Sequence, residues 1–414
     1  MSRASDLTAQ GVREVLVARP AEFAACCREL AHAAVIGWDT EFIGEQTFVP
    51  QLCLIQIATE DTLFLIDPLT VGCLGELWPI LTDPQRIVIC HAAREEIRIC
   101  QRLCGRLPHG VFDLQIAAGL VGMGHPIGHG ALVQKLFGIR LSKGETLTDW
   151  KKRPLTSRQM EYAFDDVRYL IPAWKLLVRE LEERGRFAWA KEEFETLIPR
   201  SLGEEPGVER WRKLKGLGGL NRRELGIVRE LFAWREEKAY EKNRPVRAIL
   251  RDDLLVEIAR REVQSERDLA VVRGLPRDDL SEIVGVLERV RALPIEALPE
   301  LPPRSDEPTP VTLVASFLAT LLQQLGLEWE LAPALIATTN DLKVLVRSLS
   351  RQQPLPDTSP FARGWRSQFI LPVLQSILSG DCSVRIGGLT SERPFQLSLN
   401  PSLHRTNPKS IKVE

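Results

Sequence analysis

Apolar residues in the first 200 positions follow two rhythms that alternate along the chain. Short, nearly continuous apolar runs at Val35 to Phe42, Gln51 to Ala58, Leu63 to Ile66 and Ile87 to Cys90 read as strands. Glu60-Asp61 supplies the turn between the second and third of them. Helical spacing takes over around Ala21 to Ala33, and again from Ala93 to Leu103, where Ile97, Ile99, Cys100 and Leu103 recur. The longest helical stretch is Ser157 to Glu183, which Pro172 is expected to kink or break. Strand and helix in alternation predict an α/β domain over residues 1–200.

Periodicity stops at Pro199 to Gly207, P-R-S-L-G-E-E-P-G, which marks a boundary. Residues 207–295 are then helical throughout, with breaks at Gly216 to Gly219, Asn243 to Pro245 and Gly274 to Pro276. A proline-rich linker, residues 296–310, is expected to be extended. A second helical domain occupies 311–400, and the tail 401–414 is expected to be disordered. The two helical segments read as distant copies of one module.

At 414 residues the chain exceeds one ordinary domain, and 44% hydrophobic with 26% charged residues is a soluble globular composition. A net charge of -1 means that any basic surface must be local. One such excess lies between Glu209 and Arg247, with twelve Lys or Arg against six Glu. It reads either as a phosphate-backbone contact or as solvated helix faces laced with i, i+4 pairs. Trp211 and Trp234 in the same stretch fit helix-packing anchors. No apolar signal core begins the chain, and no run is expected to approach the ~18 apolar residues of a membrane span. Eight cysteines without a C-x-x-C pair of pairs predict a reduced, cytoplasmic setting and no zinc site.

The candidate chemistry begins at Asp39-Thr40-Glu41, at the end of the first apolar run. Residues two apart on a strand project to one side, so both carboxylates face one spot, where their repulsion calls for a cation. Oxygen clusters of this kind suit Mg²⁺ or Mn²⁺. Taken alone, D-x-E at a strand end is more often a pair of surface acids. Tyr162 and Asp166, i and i+4, share a helical face and can complete such a site. Asp165 points elsewhere and reads as solvated. Glu95 or Glu96, in the helix after the strand ending at His91, is a further candidate, with helix-dipole preference as the ordinary alternative. Asp113 reads better as a helix cap, and His91 as a packed side chain. Lys152 or Arg153 is either a substrate-backbone contact or a solvated loop charge. The glycine-rich G-M-G-H-P-I-G-H-G stretch has no following lysine and is not a phosphate loop.

Taken together, D39-T-E41-F, H91-A-A-R-E-E96 and Y162-A-F-D-D166, with L-T-D-W-K-K-R-P-L before the last, resemble the ribonuclease D family. These are exonucleases of the DEDD superfamily with a tyrosine in the last motif. W211-R-K-L-K-G-L through R-P-V-R-A-I-L-R-D-D-L-L resembles the helicase-and-RNase-D C-terminal (HRDC) domain, and L-I-A-T-T-N-D-L with G-W-R looks like a degenerate second copy. The resemblance implies a ribonuclease H-like α/β exonuclease domain followed by two all-α HRDC-type domains. It implies 3′–5′ hydrolysis of RNA to nucleoside 5′-monophosphates in tRNA or other stable-RNA processing, by a cytoplasmic monomer acting on RNA with a free 3′ end. Two divalent ions, Mg²⁺ or Mn²⁺, would be held by Asp39, Glu41, Glu96 and Asp166, with Tyr162 orienting the attacking water. Glu96 departs from the family, which usually has aspartate there, and one added methylene shifts a ligand by about an ångström. A DNA exonuclease of the same superfamily and a catalytically weak RNA-binding protein are the alternatives.

Overall fold

Strands buried on both faces need near-continuous apolar sequence, and the central runs of this chain supply it. The computed structural model describes residues 11–44, 47–142, 148–202, 209–261, 263–275, 277–301, 308–391 and 393–398. In chain order the first part comprises β1 (Arg13–Val17), α1 (Pro20–Leu30), β2 (Val35–Ile43), β3 (Gln51–Ala58), β4 (Thr62–Ile66), α2 (Pro68–Val71), α3 (Leu77–Leu81) and β5 (Ile87–Cys90). It continues with α4 (Arg94–Cys104), β6 (Val111–Asp113), α5 (Leu114–Leu120), α6 (His129–Phe137), α7 (Ser157–Arg168), α8 (Leu170–Glu183) and α9 (Phe187–Leu202). Six strands form one sheet in the order β1-β4-β3-β2-β5-β6. β1 runs parallel to β4, β3 antiparallel to β4, and β5 parallel to both β2 and β6. The long helical stretch does break, but at Tyr169; Pro172 sits in the first turn of α8, where its missing N–H costs nothing.

The chain divides into two compact units: residues 1–41, 53–202 and 307–414 in one, and 42–52 with 203–306 in the other. The second unit is built on α10 (Arg222–Glu241), α11 (Val246–Ile249), α12 (Asp252–Arg260), α13 (Glu266–Ala270) and α14 (Leu280–Ala292). Trp211 is buried in its core and Trp234 packs against that core, with Nε1 donating to Glu282 at 2.9 Å. Most of its positive charge is spent internally. Arg210 pairs with Glu236, Arg212 with Glu209, Arg235 with Asp252, Lys238 with Glu282 and Lys242 with Asp279. Arg222 and Arg223 donate to backbone carbonyls of Leu298, Pro299, Val290 and Arg291. Among the described residues, only Lys215, Arg244 and Arg247 in this stretch extend without an ion-pair or hydrogen-bond partner for the side chain.

The final helices are α15 (Thr309–Trp329), α16 (Pro333–Ile336), α17 (Thr339–Ser350) and α18 (Leu371–Ser379), followed by the hairpin β7 (Ser383–Ile386) and β8 (Phe395–Ser398). α15 corrects one expectation: it is 21 residues long and apolar enough, by length and composition, to cross a membrane. Val311, Ala315, Leu318, Leu322 and Leu325 are buried along it, as in a core helix. α15 to α17 repeat the succession α10 to α12: a long helix, a one-turn helix, two extended residues, then a further helix. The extended pair is Leu250 (φ -155°, ψ 123°) with Arg251 (φ -71°, ψ 155°) in one and Ala337 (φ -162°, ψ 152°) with Thr338 (φ -84°, ψ 162°) in the other.

These last helices are bound into the unit that holds the sheet. Arg186, at the start of α9, is fully buried and donates to the carbonyls of Leu120 (2.6 Å), Glu330 (2.8 Å) and Trp329 (2.5 Å). It thereby satisfies orphan carbonyls at the ends of α5 and α15 together. Glu193 receives Arg366 at 2.5 Å and Trp365 Nε1 at 2.9 Å, and the Trp189 and Trp365 rings stack 4.7 Å apart. Gly119 leaves room for this docking, since a Cβ there would meet Leu335 at 2.6 Å. The expected linker and tail lie partly outside the described residues, the tail wholly so.

Candidate active site

Gly37 sets the geometry of the site. A Cβ on it would lie 3.1 Å from Leu170 Cβ and 3.2 Å from Ala58 Cβ, tighter than ordinary contact, so glycine lets α8 settle closely onto β2. Leu170 therefore rests over Gly37. Asp166, one turn earlier in the chain, comes over Asp39 and Glu41, and both carboxylates act electrostatically on it. Tyr162 hydrogen bonds to Asp166 from a further turn back.

The other side of the site comes from β5, which pairs with β2 from Val35↔Ile87 to Gly37↔Ile89. The chain turns at Ala92, with φ 63°, into α4. Asp113 holds this turn, accepting from Ala92 N–H (3.3 Å) and Ala93 N–H (2.9 Å) while it caps α5 through Gln115 N–H (2.8 Å) and Ile116 N–H (3.2 Å). Its acceptor capacity is used by backbone, which makes it a cap. Glu95 turns outward to Arg98 at 2.6 Å. Glu96 turns inward: it is 5% exposed, accepts the Thr40 hydroxyl at 2.9 Å and, in its protonated form, donates to Asp39. Thr40 N–H also donates to Asp39 Oδ1 at 2.8 Å. Asp39, Glu41, Glu96, Tyr162 and Asp166 are thus brought together, while Glu95 and Asp113 are occupied elsewhere and Asp165 pairs with Arg168 at 2.9 Å. Arg153 is neither a substrate contact nor a solvated charge, for it clamps Asp67 and the carbonyls of Trp150 and Cys53.

Thr40 and His129 escaped the sequence reading. His129 Nδ1 stands 3.9 Å from Asp166 Oδ1, and its ring lies 5.4 Å from that of His91. Burial, aided by His91, pushes the His129 pKa down to about 3, so it is neutral at physiological pH. His91 packs at the strand end and donates through Nε2 to Ile127 O at 2.9 Å. The one signal for His129 was its place in the glycine-rich loop, which sequence reasoning tested only for phosphate binding.

Four carboxyl groups share this cleft, and among the described residues no Lys or Arg pairs with any of them. Burial raises the Asp39 pKa to about 7, and burial with the Asp39 charge raises Glu41 to about 8. Asp166 rises to about 10, through burial and then the charges of Asp39 and Glu41. Glu96 is pushed well up by burial and by Asp39. A donor set of hard oxygens with raised pKa values and no organic counter-charge fits divalent cations. Among the described residues no three acidic, histidine or cysteine side chains already converge on one ion position; Glu96 is instead held to Thr40 and Asp39 by hydrogen bonds.

The raised values carry a sign. The folded chain without metal keeps protons that the unfolded chain releases above about pH 4. Its stability is therefore full at low pH and falls as pH rises, through about 7 for Asp39 and about 8 for Glu41. In EDTA, thermal unfolding is expected to move to lower temperature between about pH 5 and about pH 8, and Mn²⁺ to raise it more at the higher pH. A flat profile would remove the buried-cluster account.

A ribonuclease H-like sheet with a carboxylate cluster at β2, joined to a helical module, defines a nuclease class, and similarity to known proteins agrees. The family model described as 3′-5′ exonuclease matches residues 15–182, and that of the HRDC domain matches 224–288. Ribonuclease D of Bartonella henselae is 34% identical over 83% of this chain and 84% of its own length. That of Pseudomonas paraeruginosa is 35% identical over 86% and 96%. The crystal structure of Escherichia coli RNase D, described as an exoribonuclease involved in structured RNA processing, superposes with a TM-score of 0.78 at 28% identity. It covers 89% of this chain and 99% of that one. The chain is a 3′–5′ exoribonuclease with an HRDC domain. It belongs to the ribonuclease D family, whose DEDD exonucleases depend on divalent metal.

Proposed function

We propose that the chain trims the 3′ ends of stable RNAs, tRNA precursors among them, with Asp39, Glu41, Glu96 and Asp166 as ligands of two Mg²⁺ or Mn²⁺ ions. The observation that carries this is the gathering of four raised-pKa carboxyls from β2, α4 and α7 with no cationic partner among the described residues. The bound ions would supply charge shielding and activation of water for attack on an anionic phosphodiester. The Asp39 charge acts on Glu41, Glu96 and Asp166 alike, so Asp39 would be the ligand that the two ions share. Tyr162 orients the attacking water through its hydroxyl; a neutral phenol is a poor base. Parallel degradation of single-stranded RNA, single-stranded DNA and a tRNA precursor under Mn²⁺ and Mg²⁺ titration tests the reading. Preference for DNA, or binding without hydrolysis at any metal concentration, would replace it.

The longer side chain of Glu96 reaches Thr40 and Asp39 from the first turn of α4. We expect Glu96→Asp to preserve or raise activity and Glu96→Ala to lower it about 10²-fold. Single-turnover rates decide it, and an alanine variant as active as the wild type would remove Glu96 from the ligands.

The repeated succession in α15 to α17 supports reading the last helical segment as a second HRDC-like copy. For RNA contact we assign Lys215, Arg244 and Arg247, the exposed cations within residues 209–247 whose side chains no described partner takes up. Replacing all three with alanine should weaken RNA binding and flatten its salt dependence by about 2 in log–log slope, at ~0.7 per contact. An unchanged slope would remove these three residues from the RNA contact.

A further inference from the structure

Gln56 lies in β3 with no accessible surface, and neither its amide nitrogen nor its amide oxygen has a hydrogen-bond partner. A buried amide left unpaired costs about 1–3 kcal/mol, which leucine or methionine at this position would avoid. The place of this amide is informative. A Cβ on Gly37 would come within 3.2 Å of Ala58 Cβ, so Gly37 of β2 and Ala58 of β3 project to the same face of the sheet. Side chains alternate along both strands, so Asp39 and Glu41 share that face with Gln56. The same face carries α8, through Leu170 on Gly37, and so lies beneath the turn that presents Asp166.

As it stands, Asp39 is satisfied by Thr40 N–H and by Glu96. A bound divalent cation would draw Asp39 and Glu96 apart as separate ligands, and Asp39 would then need a new donor for its second oxygen. Ligating carboxylates are themselves hydrogen-bonded in metal sites, and those partners tune affinity. Lysine or arginine there would compete with the cation by charge. A neutral amide would not, and Gln56 is the buried amide on this face with both N–H groups free.

We propose that Gln56 is a positioning residue of the carboxylate site, its amide N–H turning to Asp39 once Asp39 turns from Glu96 to a bound divalent cation. This rests on the metal reading given above. It accounts for an unpaired amide at the centre of the sheet, where an apolar side chain would be more stable in the absence of metal.

The test uses the full chain, without RNA. Mn²⁺ binding is measured by titration calorimetry, and thermal unfolding in EDTA, for wild type, Gln56→Met and Gln56→Leu. The expected result is an about 10-fold loss of Mn²⁺ affinity, with an unfolding temperature in EDTA equal to or above that of the wild type. A merely structural glutamine would do the reverse. Wild-type affinity in both variants overturns the proposal. So does a lower unfolding temperature in EDTA, or failure of both variants to fold, because the amide would then be needed without metal. Asp39→Asn is the control that separates the two readings. If it too binds Mn²⁺ as the wild type does, the carboxylate site itself is misassigned; if it alone loses binding, only the role of Gln56 fails.

Discussion

Replacing Asp39 with asparagine is expected to lower metal-dependent RNA shortening by at least about 10³-fold, about 4 kcal/mol of barrier. The same change should raise the thermal stability of the metal-free protein near pH 8. Both effects come from one carboxyl group. Asp39 touches or faces each of the other acidic groups, raising the pKa of Glu41, Glu96 and Asp166. Its own pKa of about 7 means that near pH 8 the folded chain must hold it ionised in a half-buried place among other acids. Asparagine keeps the shape and removes that charge, so the metal-free fold gains. A ligand lost from a shared site cannot be replaced by its neighbours, because Glu95 and Asp113 are engaged with Arg98 and with backbone N–H groups. Rates at saturating Mn²⁺, read beside unfolding temperatures in EDTA, check both halves. Wild-type rates for the asparagine variant would sink the site assignment.

Arg186→Ala should destabilise the unit that contains the sheet by about 3–6 kcal/mol, a large part of the 5–15 kcal/mol that holds an ordinary domain folded. Three carbonyls, of Leu120, Trp329 and Glu330, would lose a buried charged donor at once. Two of these end α15 and one ends α5, so the loss falls where the last helical segment meets the sheet-bearing fold. Lysine should recover little, since a single ammonium cannot present the planar fork that reaches all three. Urea unfolding followed by tryptophan fluorescence is a suitable measurement, because Trp189 and Trp365 stack close by. A change below about 1 kcal/mol would mean that the last helices dock independently of Arg186. The contact also bears on truncation. Removing everything after residue 206 would take away α15 to α18 as well as the HRDC domain, so point substitutions at Lys215, Arg244 and Arg247 test RNA binding more cleanly.

Much of this site was written along the chain. The rhythm of Val35 to Phe42 placed Asp39 and Glu41 on one side of a strand, and the four-residue spacing of Tyr162 and Asp166 placed both on one face of α7. Each of these is a local relation fixed by backbone geometry, 2.0 residues per repeat in one case and 3.6 in the other. The apolar runs made the central strands and the α/β class legible for the same reason. Choosing Glu96 over Glu95 was beyond local reasoning, because adjacent helical positions differ by ~100° and only the neighbouring strand shows which one points inward. Thr40, His129 and Gln56 were likewise silent. Each matters through a residue brought near by sheet register or helix packing, as Thr40 meets Glu96 from 56 positions away.

Charge divides in the same way. The chain by itself determined that residues 209–247 hold an excess of lysine and arginine, but the partners that consume most of it come from distant turns, among them Asp252, Asp279, Glu282 and the carbonyls near Pro299. Sequence determined the helical character of 311–379 but not the hairpin of β7 and β8 that follows it in place of the expected helix, whereas the buried fork of Arg186 decided that the described helices pack with the sheet. Periodicity reports which way a side chain leaves its own backbone, and only the folded chain determines what it meets.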